Sequence, residues 1–174
     1  PMNRDPIMQR YFIRHGHTNY NQLGLCNGDP GSPVHLTARG IQQAETARQR
    51  LIGVPLQRIF VSELPRTRQT AEIINRDLKV PIETHPGLND IRSGCEDRPV
   101  SEYQAAIAHD PLRAKVGDGE SLLEYRARVE AFLDIVNGPG NFLIDESLPM
   151  IVIDEADFHL SGKMIIHDRA VHFF

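Results

Sequence analysis

The chain has 174 residues, 40% of them apolar, and 19 Lys and Arg against 23 Asp and Glu leave it a net charge of −4. Such a length suits one domain with a sizeable core, and the mixed charges describe a soluble globular protein. The acidic balance argues against nucleic acid as a partner, no apolar run is long enough to span a bilayer, and no basic-then-apolar leader points to secretion.

Residues 1–8 are polar and punctuated by proline, a loose terminus. Arg10-Tyr-Phe-Ile13 is a short β-favouring run that ends in Arg14-His15-Gly16, so a strand delivers polar residues at its carboxyl end. The stretch 19–36, with Asn27-Gly-Asp-Pro-Gly-Ser-Pro33, reads as a loop of turn formers. Thr37 caps a helix in which Ile41, Ala44, Ala47 and Leu51 fall at helical spacing. Arg58-Ile-Phe-Val-Ser62 is a second strand, and Pro65 opens a helix that carries Ala71, Ile73, Ile74 and Leu78. Val80-Pro-Ile-Glu-Thr84 is a third strand, weakened by its proline.

A polar loop follows from His85 to Pro99. Ser101 with Gln104, and Ser121 with Glu124, make capping boxes that open two further helices. The later helix places Val129, Phe132, Leu133 and Val136 on one face, and Gly138-Pro-Gly140 stops it. Pro149-Met-Ile-Val-Ile153 is the last buried strand. Lys163-Met-Ile-Ile166 and Ala170-Val-His-Phe-Phe174 bracket a turn and read as a β-hairpin. Its Val171, Phe173 and Phe174 call for burial, within the domain or against a second subunit in a homodimer. Cys26 and Cys95 lie in unrelated sequence contexts, so two reduced thiols in a cytoplasmic protein are expected.

Strands alternating with helices predict a single α/β domain over 1–174, in three α/β/α layers around a mostly parallel sheet, with an antiparallel hairpin at the C-terminus. Ligands of such sheets bind beyond the carboxyl ends of the strands. Three strands end there in chemically useful residues: Arg14-His15, Ser62 with Arg66 just beyond, and Asp154-Glu155. An imidazole can attack phosphorus directly, and a guanidinium can neutralise phosphoryl oxygens through paired hydrogen bonds. Gly16 removes a side chain where a substrate has to come close. Taken singly, each residue has a plain reading: a surface His beside an Arg, a solvated Arg66 on a helix, a turn-forming Asp90.

Together they form an ordered set. Arg14-His-Gly-His-Thr18, Asn21, Asn27-Gly28 and Leu36-Thr-Ala-Arg-Gly40 resemble the opening of the histidine phosphatase superfamily, which includes the cofactor-dependent phosphoglycerate mutases. Val61-Ser-Glu-Leu-Pro-Arg-Thr67 with Thr70-Ala71 is similar to that family's second-arginine motif. Leu88-Asn-Asp-Ile-Arg-Ser-Gly94 is similar to its general-acid loop, and Gly119-Glu-Ser121 to the turn before its late helix. The resemblance implies that His15 takes up the phosphoryl group while Arg14 and Arg66 hold it. Asn21, Asn27 and the backbone around Gly28 would help at the rim, with His17 as a further contact. Asp90 would be the proton donor, one methylene shorter than the family's usual Glu. No metal or other cofactor is required, and no zinc-ligand spacing is present.

The C-terminal part departs from the family. Glu155 stands, by register, where the family has its second catalytic histidine. A carboxylate about 4 Å from a phosphoryl charge, at an effective dielectric near 20, repels it by roughly 4 kcal/mol per unit charge. Glu155 can pair with Arg14 or Arg66, hold a proton against Asp90, or give way to His159. Alternatively, the chain binds phosphorylated ligands, or a protein partner, without turnover. The ion pair ranks first. The expected function is a phosphatase for a small phosphate monoester; no segment offers the cap that a mutase needs to re-dock its intermediate. Arg92, Arg98 and Arg113 are candidates to read a second acidic group.

Overall fold

A computed structural model describes residues 10–137, 150–154 and 171–173. The chain alternates strands and helices: β1 (Arg10–Arg14), α1 (Asn19–Leu23), α2 (Ala38–Arg50), β2 (Arg58–Val61) and α3 (Pro65–Leu78) come first. β3 (Ile82–Thr84), α4 (Val100–Ile107), α5 (Leu122–Asn137), β4 (Met150–Asp154) and β5 (Val171–Phe173) follow. The strands lie in the order β3-β2-β4-β1-β5, and all described pairings are parallel.

β4 therefore sits between β1 and β2. Its unbroken apolar run Met150-Ile-Val-Ile153 is the pattern of a strand flanked on both edges within a parallel sheet. The two strands that lead to His15 and Arg66 are second neighbours, because β4, later in the chain, lies between them. β5 runs parallel beside β1. Residues 163–166, the other arm of the expected hairpin, lie outside the described residues.

Period-two alternation divides the core. Tyr11, Ile13, Ile59 and Val61 pack with Leu51, Leu56, Ala71 and Ile74, which belong to α2, α3 and their connection. The intervening Phe12 and Phe60 pack instead with Leu88 and with Phe132, Leu133 and Val136 of α5. The Phe60 and Phe132 rings meet edge to face, with centroids 5.5 Å apart. β3 starts two residues later than expected. Pro81 can occupy this edge because its carbonyl still accepts from the Ile59 N–H at 2.9 Å.

The caps set the boundaries. Thr37 accepts from the Gly40 N–H as expected, and Ser121 with Glu124 closes a reciprocal box at the start of α5. The same device makes α1 out of a stretch expected to be loop: Thr18 and Asn21 cap each other, and left-handed Gly24 ends the turn. The expected Ser101–Gln104 box does not form. α4 begins at Val100 behind Pro99 with no side-chain cap, which leaves Ser101 inside the first turn. Ile41 is exposed rather than on the buried face of α2, where Gly40 and Ala44 make the close approach.

One side chain ties α5 to the loop 86–92. Arg128 donates to the carbonyls of Pro86, Gly87, Asn89 and Asp90 at 3.0–3.2 Å, and its other N–H groups meet Glu120 at 2.8 and 2.9 Å. Burial pushes the Glu120 carboxyl pKa up, but hydrogen bonds from Arg128 and the Arg92 N–H outweigh it and leave it below the usual range.

Two outcomes follow from these contacts. Phe132→Ala should cost about 3–5 kcal/mol in urea unfolding with an unchanged denaturant slope, while Leu123→Ala, on the exposed face of α5, should stay within about 0.5 kcal/mol. Glu120→Gln should cost on the order of 2 kcal/mol at pH 7. Because the native pKa of Glu120 is depressed, the wild-type advantage is complete above the ordinary value of 4.5 and fades as pH falls below it. Unfolding midpoints of both proteins between pH 7 and 3 check the sign: a gap that widens in acid contradicts it.

Candidate active site

At the carboxyl end of β1 the chain leaves the sheet through Arg14, His15 and Gly16. His15 is buried, and its Nδ1 lies 2.7 Å from the Gly16 carbonyl oxygen. A carbonyl can only accept, so Nδ1 carries the ring proton and the lone pair of the neutral imidazole sits on Nε2. Gly16 was expected to clear space for a substrate; its real neighbour is Gly40. A Cβ on Gly16 would lie 2.3 Å from the Gly40 carbonyl oxygen, so glycine here lets the strand end press against the first turn of α2.

Beyond β2, Arg66 sits in the first turn of α3 with only 1% of its surface exposed. Its guanidinium donates to the Asn27 carbonyl at 3.0 Å and meets the Asp90 carboxylate at 3.4 Å. Thr70, one turn further on, joins this helix to the segment after β1: its hydroxyl accepts from the Gly16 N–H at 3.1 Å and donates to the Arg66 carbonyl at 2.8 Å. Arg14, His15, Gly16 and Thr70 share a cavity of about 370 Å³ with Gln43, Thr46 and Arg50 of α2.

Three of the expected site residues, Arg66, Asn27 and Asp90, are thus in direct contact, and the Gly16 backbone beside His15 is joined to them through Thr70. Asp90 fixes its own loop, since its Oδ1 accepts from the Ile91 N–H at 2.8 Å. Other expected residues are occupied differently. The Asn21 side chain accepts from the Thr18 N–H at 3.0 Å, a helix-capping contact. His17 Nδ1 faces the Thr37 hydroxyl at 2.9 Å, at the cap of α2. The Gly28 N–H goes to Glu96 at 2.6 Å, and a Cβ on Gly28 would lie 2.5 Å from the Ile91 carbonyl oxygen. Arg98 and Arg113 pair with Glu102 and Asp110 on their own surface turns, and Arg92 lies 3.8 Å from Glu120. Glu155 and His159 lie outside the described residues; Asp154, which precedes them, is the register partner of Arg14.

Three supporting residues escaped the sequence reading. Thr70 joins the His15–Gly16 segment to α3, and Arg128 reaches the loop 86–92 from α5. Glu96 clasps both loops, because it accepts from Gly28 and from the Ser93 N–H and hydroxyl. Of these, Thr70 stood inside a quoted motif, as did Glu120, the partner of Arg128, but no local pattern names a partner tens of residues away. Cys26 and Cys95, unrelated in sequence, also lie on bonded strands of loop: Cys26 exchanges backbone hydrogen bonds with Asp97 and Arg98, and the Arg98 N–H reaches the Cys95 carbonyl. Burial pushes the Cys26 thiol pKa up.

Comparison with known proteins supplies the family. Residues 10–139 match the model of the histidine phosphatase superfamily, branch 1. A Yersinia pestis protein named "Probable phosphoglycerate mutase GpmB" is 32% identical over 136 residues, which make up 74% of this chain and 62% of that protein. The chain therefore spans less than two thirds of the length of this curated relative. The alpha-ribazole phosphatase from Shigella flexneri superposes with a TM-score of 0.74 at 28% identity, over 84% of this chain and 73% of that one. A mycobacterial glucosyl-3-phosphoglycerate phosphatase, at 20% identity and a TM-score of 0.68 over 82% and 73% of the two chains, shares the fold. With its match running from β1 through α5, this chain belongs to the histidine phosphatase superfamily.

Proposed function

We propose that the protein is a phosphatase that hydrolyses a small phosphate monoester through a phosphohistidine at His15. The observation that carries this reading is the linkage just described. Thr70 ties the Gly16 backbone, next to His15, to α3, and Arg66 ties α3 to both Asn27 and Asp90, contacts that support a common site beyond the carboxyl ends of β1 and β2. Three layers in one domain, with α2 and α3 against one sheet face and α5 against the other, are supported by the division of the core.

In this mechanism Arg14 and Arg66 hold the phosphoryl oxygens. Nε2 of His15 attacks phosphorus, an N–P bond forms and the ester P–O bond breaks. Asp90 gives its proton to the leaving oxygen. Water then attacks phosphorus, Asp90 takes back a proton, and the N–P bond breaks to release inorganic phosphate. The hydrogen bond from Nδ1 to the Gly16 carbonyl holds the ring in the tautomer that this attack needs. Arg66 is placed to trade its Asp90 contact for a phosphoryl oxygen, while Asn27 keeps the guanidinium in the same plane. Among relatives, one is named a phosphatase for alpha-ribazole and another a phosphoglycerate mutase.

The sequence at Glu155 favours one rival, a weakened relative that binds phosphorylated ligands. Incubation with 4-nitrophenyl phosphate separates the two. Wild-type turnover should fall at least about 10³-fold in His15→Ala, and an acid-labile phosphoryl label should map to His15 in the wild type alone. A folded wild-type protein that neither turns over nor becomes labelled leaves only the binding role. Glu155→His then reports on the replaced position. Loss of rate assigns Glu155 a part in the reaction, and a gain of about a hundredfold or more marks the natural residue as crippling.

A further inference from the structure

We propose that Arg128, clamped by Glu120, is the positioning residue that aims Asp90 at the leaving group; this rests on the phosphatase reading above. The argument begins with the reach of the acid. Asp90 has one methylene fewer than a glutamate, so the place of its carboxylate is set mostly by the place of its backbone. That backbone belongs to a loop, 89–92, with no regular hydrogen bonding of its own.

The fork from α5 supplies the missing partners. Arg128 Nη2 donates to the carbonyl of Asp90 itself at 3.2 Å, and Nη1 donates to the carbonyls of Asn89, Gly87 and Pro86. Glu120 Oε2 accepts the Arg92 N–H at 3.1 Å, so the backbone is gripped on both sides of Asp90. Glu120 also takes both Nε and Nη2 of Arg128, at 2.9 and 2.8 Å, which leaves the planar group one orientation. The Tyr125 ring, 5.2 Å from the guanidinium carbon, backs it from one turn earlier on α5. With 7% and 25% of their side chains exposed, Glu120 and Arg128 make a pair well shielded from water.

On the opposite side the Asp90 carboxylate is held by the Ile91 N–H and by Arg66. The acid is thus stretched between two arginines with distinct tasks. Arg66 touches its side chain and would touch the substrate, whereas Arg128 donates to its backbone carbonyl. Lysine at 128 keeps the charge but cannot serve several carbonyls and a carboxylate at once, because its ammonium is a point rather than a plane.

General-acid help matters only when the leaving oxygen needs a proton, and this gives a readout that a purely structural role would not move. The test compares kcat and KM of the full chain, Arg128→Lys, Glu120→Gln and a core control, Leu56→Ala, on 4-nitrophenyl phosphate and on 2-phenylethyl phosphate. Arg128→Lys should lower kcat about a hundredfold on the alkyl ester and only a few-fold on the aryl ester, with KM little changed. Glu120→Gln should move the same ratio by a smaller factor. Leu56→Ala should change both esters alike. Equal losses on the two esters in Arg128→Lys would overturn the proposal.

Amide hydrogen exchange decides the holding role without any activity. Protection at residues 90–92 should fall at least about tenfold in Arg128→Lys while α5 stays protected, and an unchanged loop would overturn the proposal as well. A wild-type protein that hydrolyses neither ester and takes no label at His15 defeats the phosphatase reading instead. The exchange measurement then decides the loop-holding role by itself.

Discussion

The buried guanidinium of Arg66 is the constraint around which the site is organised. Removing an isolated cation from water costs several kcal/mol even after relaxation, so its surroundings have to supply acceptors. Two of them come from segments far apart in the chain: the Asn27 carbonyl, after α1, and the Asp90 carboxylate, after β3. Both loops must close over the first turn of α3 for the charge to be tolerated. That turn has no side-chain cap on its N–H groups, since Leu64 stands at the N-cap and Pro65 follows.

The topology explains how the partners reach this point. A chain that placed β2 directly beside β1 would leave no gap at their carboxyl ends. Here the first crossover skips one position, β3 continues outward, and β4 returns to fill the skipped place. The ends of β1 and β2 are thereby held one strand apart, with Asp154 at the end of β4 in register with Arg14. The residue that follows Asp154 in sequence is Glu155, which is why an acidic residue there weighs so heavily on the chemistry proposed for the chain.

Much of this was readable from local pattern. The helix boundaries at Thr37, Pro65 and Ser121 obey capping rules that depend on three or four neighbouring residues. The nucleophile motif, Arg66 and the acid loop could be named because each is a short string with its own chemistry. What local pattern could not give were distances in space. The interposition of β4 depends on which strands pair, and period-two alternation is silent on that. Gly16 was assigned to the ligand, although the residue it accommodates is Gly40, 24 positions later. Asn21 and His17 lay in a motif and were read as contacts to substrate; their nearest polar partners turn out to be the caps of α1 and α2. Short polar side chains serve helix ends and ligands by the same hydrogen bonds, so sequence alone cannot divide the two uses.

The remaining step concerns charge. A chain with a net charge of −4 has no overall field to draw in a phosphate, so the local field must be built by hand. Three carboxylates of the surrounding loops are each taken up by donors. Glu96 accepts the Gly28 N–H and both donors of Ser93. Glu120 is taken by Arg128 and the Arg92 N–H, and Asp97 receives the hydroxyls of Tyr20 and Ser32. The Asp97 contact also pushes the Tyr20 phenol pKa up, which keeps that hydroxyl a donor. Each of these acids is thus turned toward the loops and helps to bind them to one another. Their negative charge is spread over N–H and O–H partners, so acids that contribute to the molecule's net charge also fasten its loops to one another.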